Sequence, residues 1–301
     1  MKNETNIINT NTSVLNTHGI SALPNFDATL KAADLDWEVR DEAVGGMDSG
    51  IEFPDVKMLT RSDNQTPLGI VGKDYAATDP RAFLHTQFEF AEFIGGSVHR
   101  AGFIAPASKA FAFIKVAEFD VTKVGDPCAA FIYSTDGWDG GTPRQSRLYI
   151  ERLICSNGQK SKKIVASLWS AHTKNSEETY SKKWKKFLNE LTTSVAAIRS
   201  DYVTLADTKM SAAQFEEFSL KLMPGESTLS TNRRGQLAEL FSTGVGNAGA
   251  TRWDAYNAVT EFVTHHRSYR ETRNVSAETN RFLGVMETDT LNDKALAMLV
   301  S

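Results

Sequence analysis

The chain has 301 residues, 41% of them hydrophobic and 23% charged, which is enough length and apolar content to bury a sizeable core. No apolar run approaches a membrane-spanning length. Residues 1–22, rich in Asn and Thr, lack the apolar centre of a secretory signal and read as a disordered tail on a cytoplasmic protein. The formal charge of −4 is unevenly spread: residues 144–186 hold 11 Lys/Arg and 3 Asp/Glu, whereas residues 1–143 hold 11 and 20. A positive segment in an acidic chain points to an anionic partner.

In chain order, Phe26 to Ala33 reads as a short helix after Pro24-Asn25, turning Phe26, Leu30 and Ala33 to the core. A strand begins at Trp37 and runs to about Val44, and Gly45-Gly46 with Ser49-Gly50 then predicts a flexible loop. Val56–Arg61 and Leu68–Val71 form a hairpin through the turn-forming residues 62–67. Asp79 is a helix cap with Pro80 at the first helical position. That helix presents Phe83, Phe90 and Ile94 on one side and stops at Gly95-Gly96.

Four strand-like runs follow at Ser97–Ile104, Ala110–Val116, Ala129–Ser134 and Arg147–Cys155. The loop over residues 135–143 separates the last two and carries Trp138. The two cysteines, Cys128 and Cys155, lie in apolar runs without metal-ligand spacing and read as buried free thiols, with a cross-strand disulfide as the alternative. From about Ser176 the pattern is helical only, over Glu177–Tyr202, Ala212–Leu222, Arg234–Phe241, Trp253–Arg267 and Leu291–Leu299.

Segregated strands and helices give an α+β class. The expectation is an antiparallel sheet over residues 37–155 with helix 79–94 packed across one face. Residues 23–175 then form the α+β domain and 176–301 a helical region. No Gly-rich turn follows a strand and opens a helix, since neither Gly95-Gly96 nor Gly244-x-Gly246 has that context; no nucleotide cofactor is expected.

The basic segment supplies the candidate site. Arg144, Arg147 and Arg152 flank the last strand, and Lys160, Lys162 and Lys163 follow its turn. Lys174, Lys182, Lys183, Lys185 and Lys186 lead into the long helix, with Trp169, Tyr180 and Trp184 interleaved. Cations repeated along a path suit phosphates, and aromatic faces between them suit bases. The plain alternative is a solvated lysine face with buried tryptophans.

Trp184 and Trp138 are the candidate base-stacking residues, although Trp138 among its glycines and aspartates also fits a turn folded back onto the sheet. Glu261 with His265, four residues apart, could share a metal ion, but the rest of a ligand set is missing, and none is expected. Asp136, Asp139 and Glu151 offer acids for a nuclease without the accompanying lysine at the strand end, and no catalytic set is assigned.

Several segments together resemble the phage- and plasmid-borne family known as domain of unknown function 932. They are residues 35–39, Leu68-Gly69-Ile70-Val71-Gly72-Lys73-Asp74-Tyr75, the strand 147–155 with Ser156-Asn157-Gly158, His172-Thr173, residues 253–267 and the closing run from Arg281 to Leu299. The resemblance implies a gene of mobile elements and brings no catalytic residues. A second resemblance is topological: the order of elements, with a helix closing on Phe93-Ile94-Gly95-Gly96-Ser97 before the strands, is similar to single-strand annealing proteins of the Rad-fifty-two and Red-beta type. It implies ATP-independent binding and annealing of single-stranded DNA during recombination, by subunits assembled as rings or helical filaments. A host or phage single-strand-binding protein would be a further partner. The alternative is an accessory or enzymatic protein of mobile elements, a nuclease or an anti-defence factor.

Overall fold

The computed structural model describes residues 25–104, 108–121, 125–154, 157–159, 167–273, 275–288 and 290–301. The expected tail, Cys155, Lys160, Lys162 and Lys163 lie outside the described residues.

Local chemistry sets the first elements. Asn25 caps helix α1 (Phe26–Ala32) by accepting from the Ala28 amide at 2.8 Å. Strands β1 (Val39–Gly45), β2 (Glu52–Arg61) and β3 (Pro67–Gly72) form one antiparallel sheet. Helix α2 (Pro80–Ile94) starts on Asp79, whose carboxylate accepts from the Arg81 amide at 2.9 Å. It ends where Gly95 takes a left-handed φ of 66°.

The second sheet holds β4 (Ser97–Ile104), β5 (Lys109–Asp120), β6 (Pro127–Gly137) and β7 (Arg144–Arg152), antiparallel in that order. The two short strands β8 (Asn157–Gln159) and β9 (Ser167–Ser170) pair with the two ends of β7. The chain is therefore α+β with antiparallel strands, but the strands divide between two sheets.

Helices α3 (Ser176–Asp207), α4 (Ala212–Leu222), α5 (Thr228–Thr243), α6 (Arg252–Glu261), α7 (Ala277–Leu283) and α8 (Leu291–Val300) complete the fold. Two π-helical turns follow α6 and α7, at Phe262–His266 and Gly284–Thr288. No helix among the described residues is long and apolar enough to cross a membrane.

The larger sheet is covered on both faces. Ala112, Ser134 and Ser146 stand opposite one another across β5, β6 and β7. Ser146 shares a 2.7 Å hydrogen bond with the Tyr180 hydroxyl of α3, and Tyr180 stacks on Phe90 of α2. The next register, Phe113, Tyr133 and Arg147, points the other way, and Phe282 of α7 packs on Phe113 and Tyr133. Two covered faces explain why β5 and β6 read as continuous apolar runs over Ala110–Ile114 and Cys128–Tyr133, without the alternation of a half-exposed strand.

The smaller sheet docks on the larger through aromatic edges. Trp37 meets Phe103 and Trp138 with centroids 5.2 Å away in both cases, and Arg61 lies over Trp37. Gly69 comes so close to the Trp138–Asp139 backbone that a Cβ would sit 2.5 Å from the Trp138 carbonyl oxygen. Beyond this dock the β1–β2 hairpin outruns β3. Pairing continues to Gly45↔Glu52, whereas β3 stops at Val56↔Gly72, so the glycine-rich loop forms the end of a two-stranded arm.

Candidate functional site

The start of α3 is fixed from below by a buried polar group. His172, between β9 and α3, places Nε2 3.1 Å from Asp136 Oδ1 on β6, and Tyr75 stacks on its ring at 4.7 Å. The His172 carbonyl accepts from the Ala76 amide at 3.1 Å. Burial by itself lowers the His172 pKa, but the Asp136 carboxylate outweighs it and the net direction is upward. Ser146, Tyr180 and Phe90 hold the first turns of the helix to the sheet.

Above this anchor the lysines are exposed. The Lys174, Lys182 and Lys186 side chains are 80%, 72% and 82% accessible and reach Asp74, Glu178 and Glu190 at 3.5, 2.5 and 3.7 Å. Surface pairs of this kind are weak and exchange readily for another anion. Lys183 and Lys185 are exposed and make no ion pair among the described residues. At about 100° per residue, Lys182, Lys183 and Lys186 fall within about 100° of one another on α3, and Lys185 lies about 60° from Lys182 on the flank away from Lys183.

The arginines are placed differently. Arg144 and Arg152, expected on the phosphate path, are 2% and 0% exposed. Arg144 donates to the Thr86 hydroxyl at 2.8 Å and lies 4.1 Å from the Tyr180 ring centre. Arg152 donates to Asp126 at 2.7 Å and to the Val245 carbonyl at 2.8 Å. Arg147 is half-buried, donating to the Met286 carbonyl and lying over Tyr133. All three tie the sheet to the helices that cover it. Arg144 and Arg152 lack the exposure that a phosphate contact needs, because β7 is an interior strand buried on both faces.

Trp138 takes the folded-back reading and not the stacking one: it is 0% exposed, donates from Nε1 to the Thr78 carbonyl at 2.7 Å and fills the contact between the sheets, so it has no face for a base. Trp184 is half-buried, stacked on Phe90 at 5.3 Å and edge-on to Phe93 at 4.8 Å. Trp169 on β9 is instead 55% exposed, between the buried Leu168 and Ser170. In the sequence it stands among the aromatics interleaved with the cations and is not one of the two stacking candidates. The signal was available in Ser167-Leu168-Trp169-Ser170, a short alternating run whose apolar position is already filled by leucine.

The acidic candidates serve internal partners. Glu151 is fully buried and accepts from Arg100 at 2.8 Å. Asp139 accepts from the Gly141 and Thr142 amides at 2.9 and 2.6 Å, and although burial raises its pKa these bonds bring it below the usual carboxylate value. Glu261 is buried and accepts from the Val245 amide at 3.2 Å, with His266 at 3.9 Å. No group of three or more His, Cys, Asp or Glu among the described residues is arranged to hold a metal ion.

The exposed surface thus combines β9 at the sheet edge, Trp169, Lys174 and the lysine side of α3. It offers cations and an aromatic face, which suits a polyanion with stacking rings. No curated protein and no solved structure matches the chain. A family model described as a domain of unknown function (DUF932) matches residues 67–283, spanning β3 through α7 and including all of this surface. With well over half of its length covered by that model, the chain belongs to the DUF932 family.

Proposed function

We propose that this protein binds single-stranded DNA without nucleotide or metal, holding phosphates on Lys174, Lys182, Lys183 and Lys186 and stacking a base on Trp169. The observation that supports this most is the coincidence of an exposed tryptophan at a sheet edge with a row of exposed lysines on the adjoining helix. Displacing Glu178 and Glu190 from their lysines costs little, since exposed pairs contribute under about 1 kcal/mol. Phosphate contacts without base readout give sequence-independent binding. In its sharper form the reading is cytoplasmic strand annealing in recombination of mobile-element DNA, with several subunits presenting the bases of one strand to its complement.

The test is a titration of labelled single-stranded and duplex oligonucleotides over a salt series, for the native protein and for Lys182→Glu/Lys183→Glu/Lys186→Glu. The native log–log slope should be about −0.7 per phosphate neutralised on a single strand. The charge-reversed protein should bind all sequences more weakly with a flatter slope. Equal affinity in a folded variant identifies the lysines as a solvated helix face and ends this reading.

A further inference from the structure

The β1–β2 arm leaves its apolar groups in solvent. Met47 is 100% exposed, Ile51 59% and Phe53 49%, all within seven residues at the tip. A two-stranded hairpin is marginal in water by itself, and clustered exposed apolar side chains mark a surface that another molecule covers. Residues 41–55 carry five Asp/Glu and no Lys/Arg. Asp41 and Asp55 pair with Lys57 and Lys73, but Asp48 and Glu52, beside the tip, make no ion pair among the described residues. Such an arm is repelled by nucleic acid and by anionic membranes, so its partner is a protein surface that is apolar with positive charge at the edge.

The chain itself carries such a surface. A groove of about 1010 Å³ runs between the end of α2, the outer half of β5 and α3, with Ile94, Val116, Phe119, Leu188 and Val195 among its lining and Phe93 57% exposed at its end. Arg199 lines it and Lys185 lies one helical turn before Leu188 on the same side; both are exposed and unpaired among the described residues. The acids nearby are Glu118, which is paired to Lys115, and Glu89 and Glu92 beyond Phe93. On α3 Lys183 and Lys186 lie about 160° and 100° around from Lys185 and face away from the groove, whereas Lys182, about 60° from Lys185, stands nearer its rim.

We infer that the arm of one copy inserts Met47, Ile51 and Phe53 into the α2–β5–α3 groove of a second copy, with Asp48 and Glu52 meeting Arg199 and Lys185. Arm and groove are different surfaces, so where insertion is not reciprocal the contact is heterologous and each copy still offers a free arm or a free groove, whereas reciprocal insertion closes a two-fold dimer. The non-reciprocal contact propagates into a ring or a filament. The inference supplies the contact that the annealing form of the proposed function requires, and it stands or falls without DNA.

The test is sedimentation velocity of the full chain without nucleic acid, for the native protein, Met47→Ser/Ile51→Ser/Phe53→Ser and Thr192→Glu/Arg199→Glu. All substituted side chains are exposed, and circular dichroism with a melting curve checks that each variant folds. The native protein should form species larger than a dimer, and each variant alone should self-associate more than about tenfold more weakly, as expected for loss of central apolar anchors. Mixing the two variants restores one intact arm facing one intact groove, so assembly should stop at a dimer. A native protein that stays monomeric up to about 100 µM, weaker than specific association requires, overturns the inference. So does assembly that neither variant changes, or that the arm variant alone abolishes, the last meaning that the arm docks elsewhere. Loss of DNA affinity in the arm variant with unchanged assembly would also overturn it, assigning the arm to the nucleic acid. Lys183→Glu/Lys186→Glu, which faces away from the groove, leaves this experiment unaffected, so the two readings fail separately.

Discussion

His172 Nε2 lies 3.1 Å from Asp136 Oδ1, joining the segment that leads into α3 to the end of β6 in the larger sheet. Both side chains are buried, at 8% and 0% exposure, and the Tyr75 ring covers the imidazole. Two elements that carry the proposed nucleic-acid surface, β9 and α3, therefore meet over one titratable contact.

That contact fixes a sign for pH dependence. The folded His172 pKa is raised above its ordinary 6.5, so its stabilisation is complete below that value and is lost as pH rises through the folded pKa. His172→Gln should consequently lose more stability at pH 5.5 than at pH 9, and denaturant unfolding at the two pH values measures it. His99 runs the other way. Burial first, then Arg100 and Lys115, push it down to about 4, so stability present above 6.5 is lost as pH falls toward 4. Replacing His99 by Gln should remove that acid-side loss.

The buried ion pair between Arg152 and Asp126 also receives the Trp253 indole N–H, linking β7 to the first turn of α6. Removing Asp126 takes away a buried carboxylate to which both Arg152 and the Trp253 indole donate. Asp126→Ala should cost about 3–5 kcal/mol by urea denaturation. Arg152→Met/Asp126→Leu should recover part of it, because neither charge of this pair then remains buried.

Trp169 and Trp184 should separate cleanly. Trp169→Ala should leave the melting temperature nearly unchanged and weaken single-stranded DNA binding by about 1–3 kcal/mol, the contribution of one stacked base. Trp184→Ala removes packing against Phe90 and Phe93 and should lower the melting temperature first. Differential scanning fluorimetry alongside the binding titration distinguishes them.

Gly69 marks the dock between the sheets. A Cβ there would stand 2.5 Å from the Trp138 carbonyl oxygen and 2.9 Å from Asp139 Cα, both backbone atoms that cannot swing away. Gly69→Ala should destabilise by about 1–3 kcal/mol, as overpacking of a close contact does. Gly72→Ala, with nothing within 4 Å, is the matched control.

The elements that declare themselves in sequence carry their own end signals. Asp79-Pro80 and Gly95 delimit α2, and Ser211 with Gln214 forms the capping box that starts α4, because these bonds are made within four residues of chain. The uneven charge and the exposure of Lys182, Lys183 and Lys186 follow from composition and helical spacing. Weaker local signals were lost: α5 begins six residues before Arg234 on a Ser227 cap, and the seven-residue α7 is too short to show a period. Tertiary structure alone decided the fate of Arg144 and Arg152, and it chose between the two readings that the sequence left open for Trp138. In sequence all three are large side chains near a basic strand, and their exposure depends on what covers β7 and on where the two sheets meet. Those contacts join residues far apart in the chain, Arg152 to Val245 and Trp138 to Thr78, and no local pattern encodes a surface that a distant segment will bury.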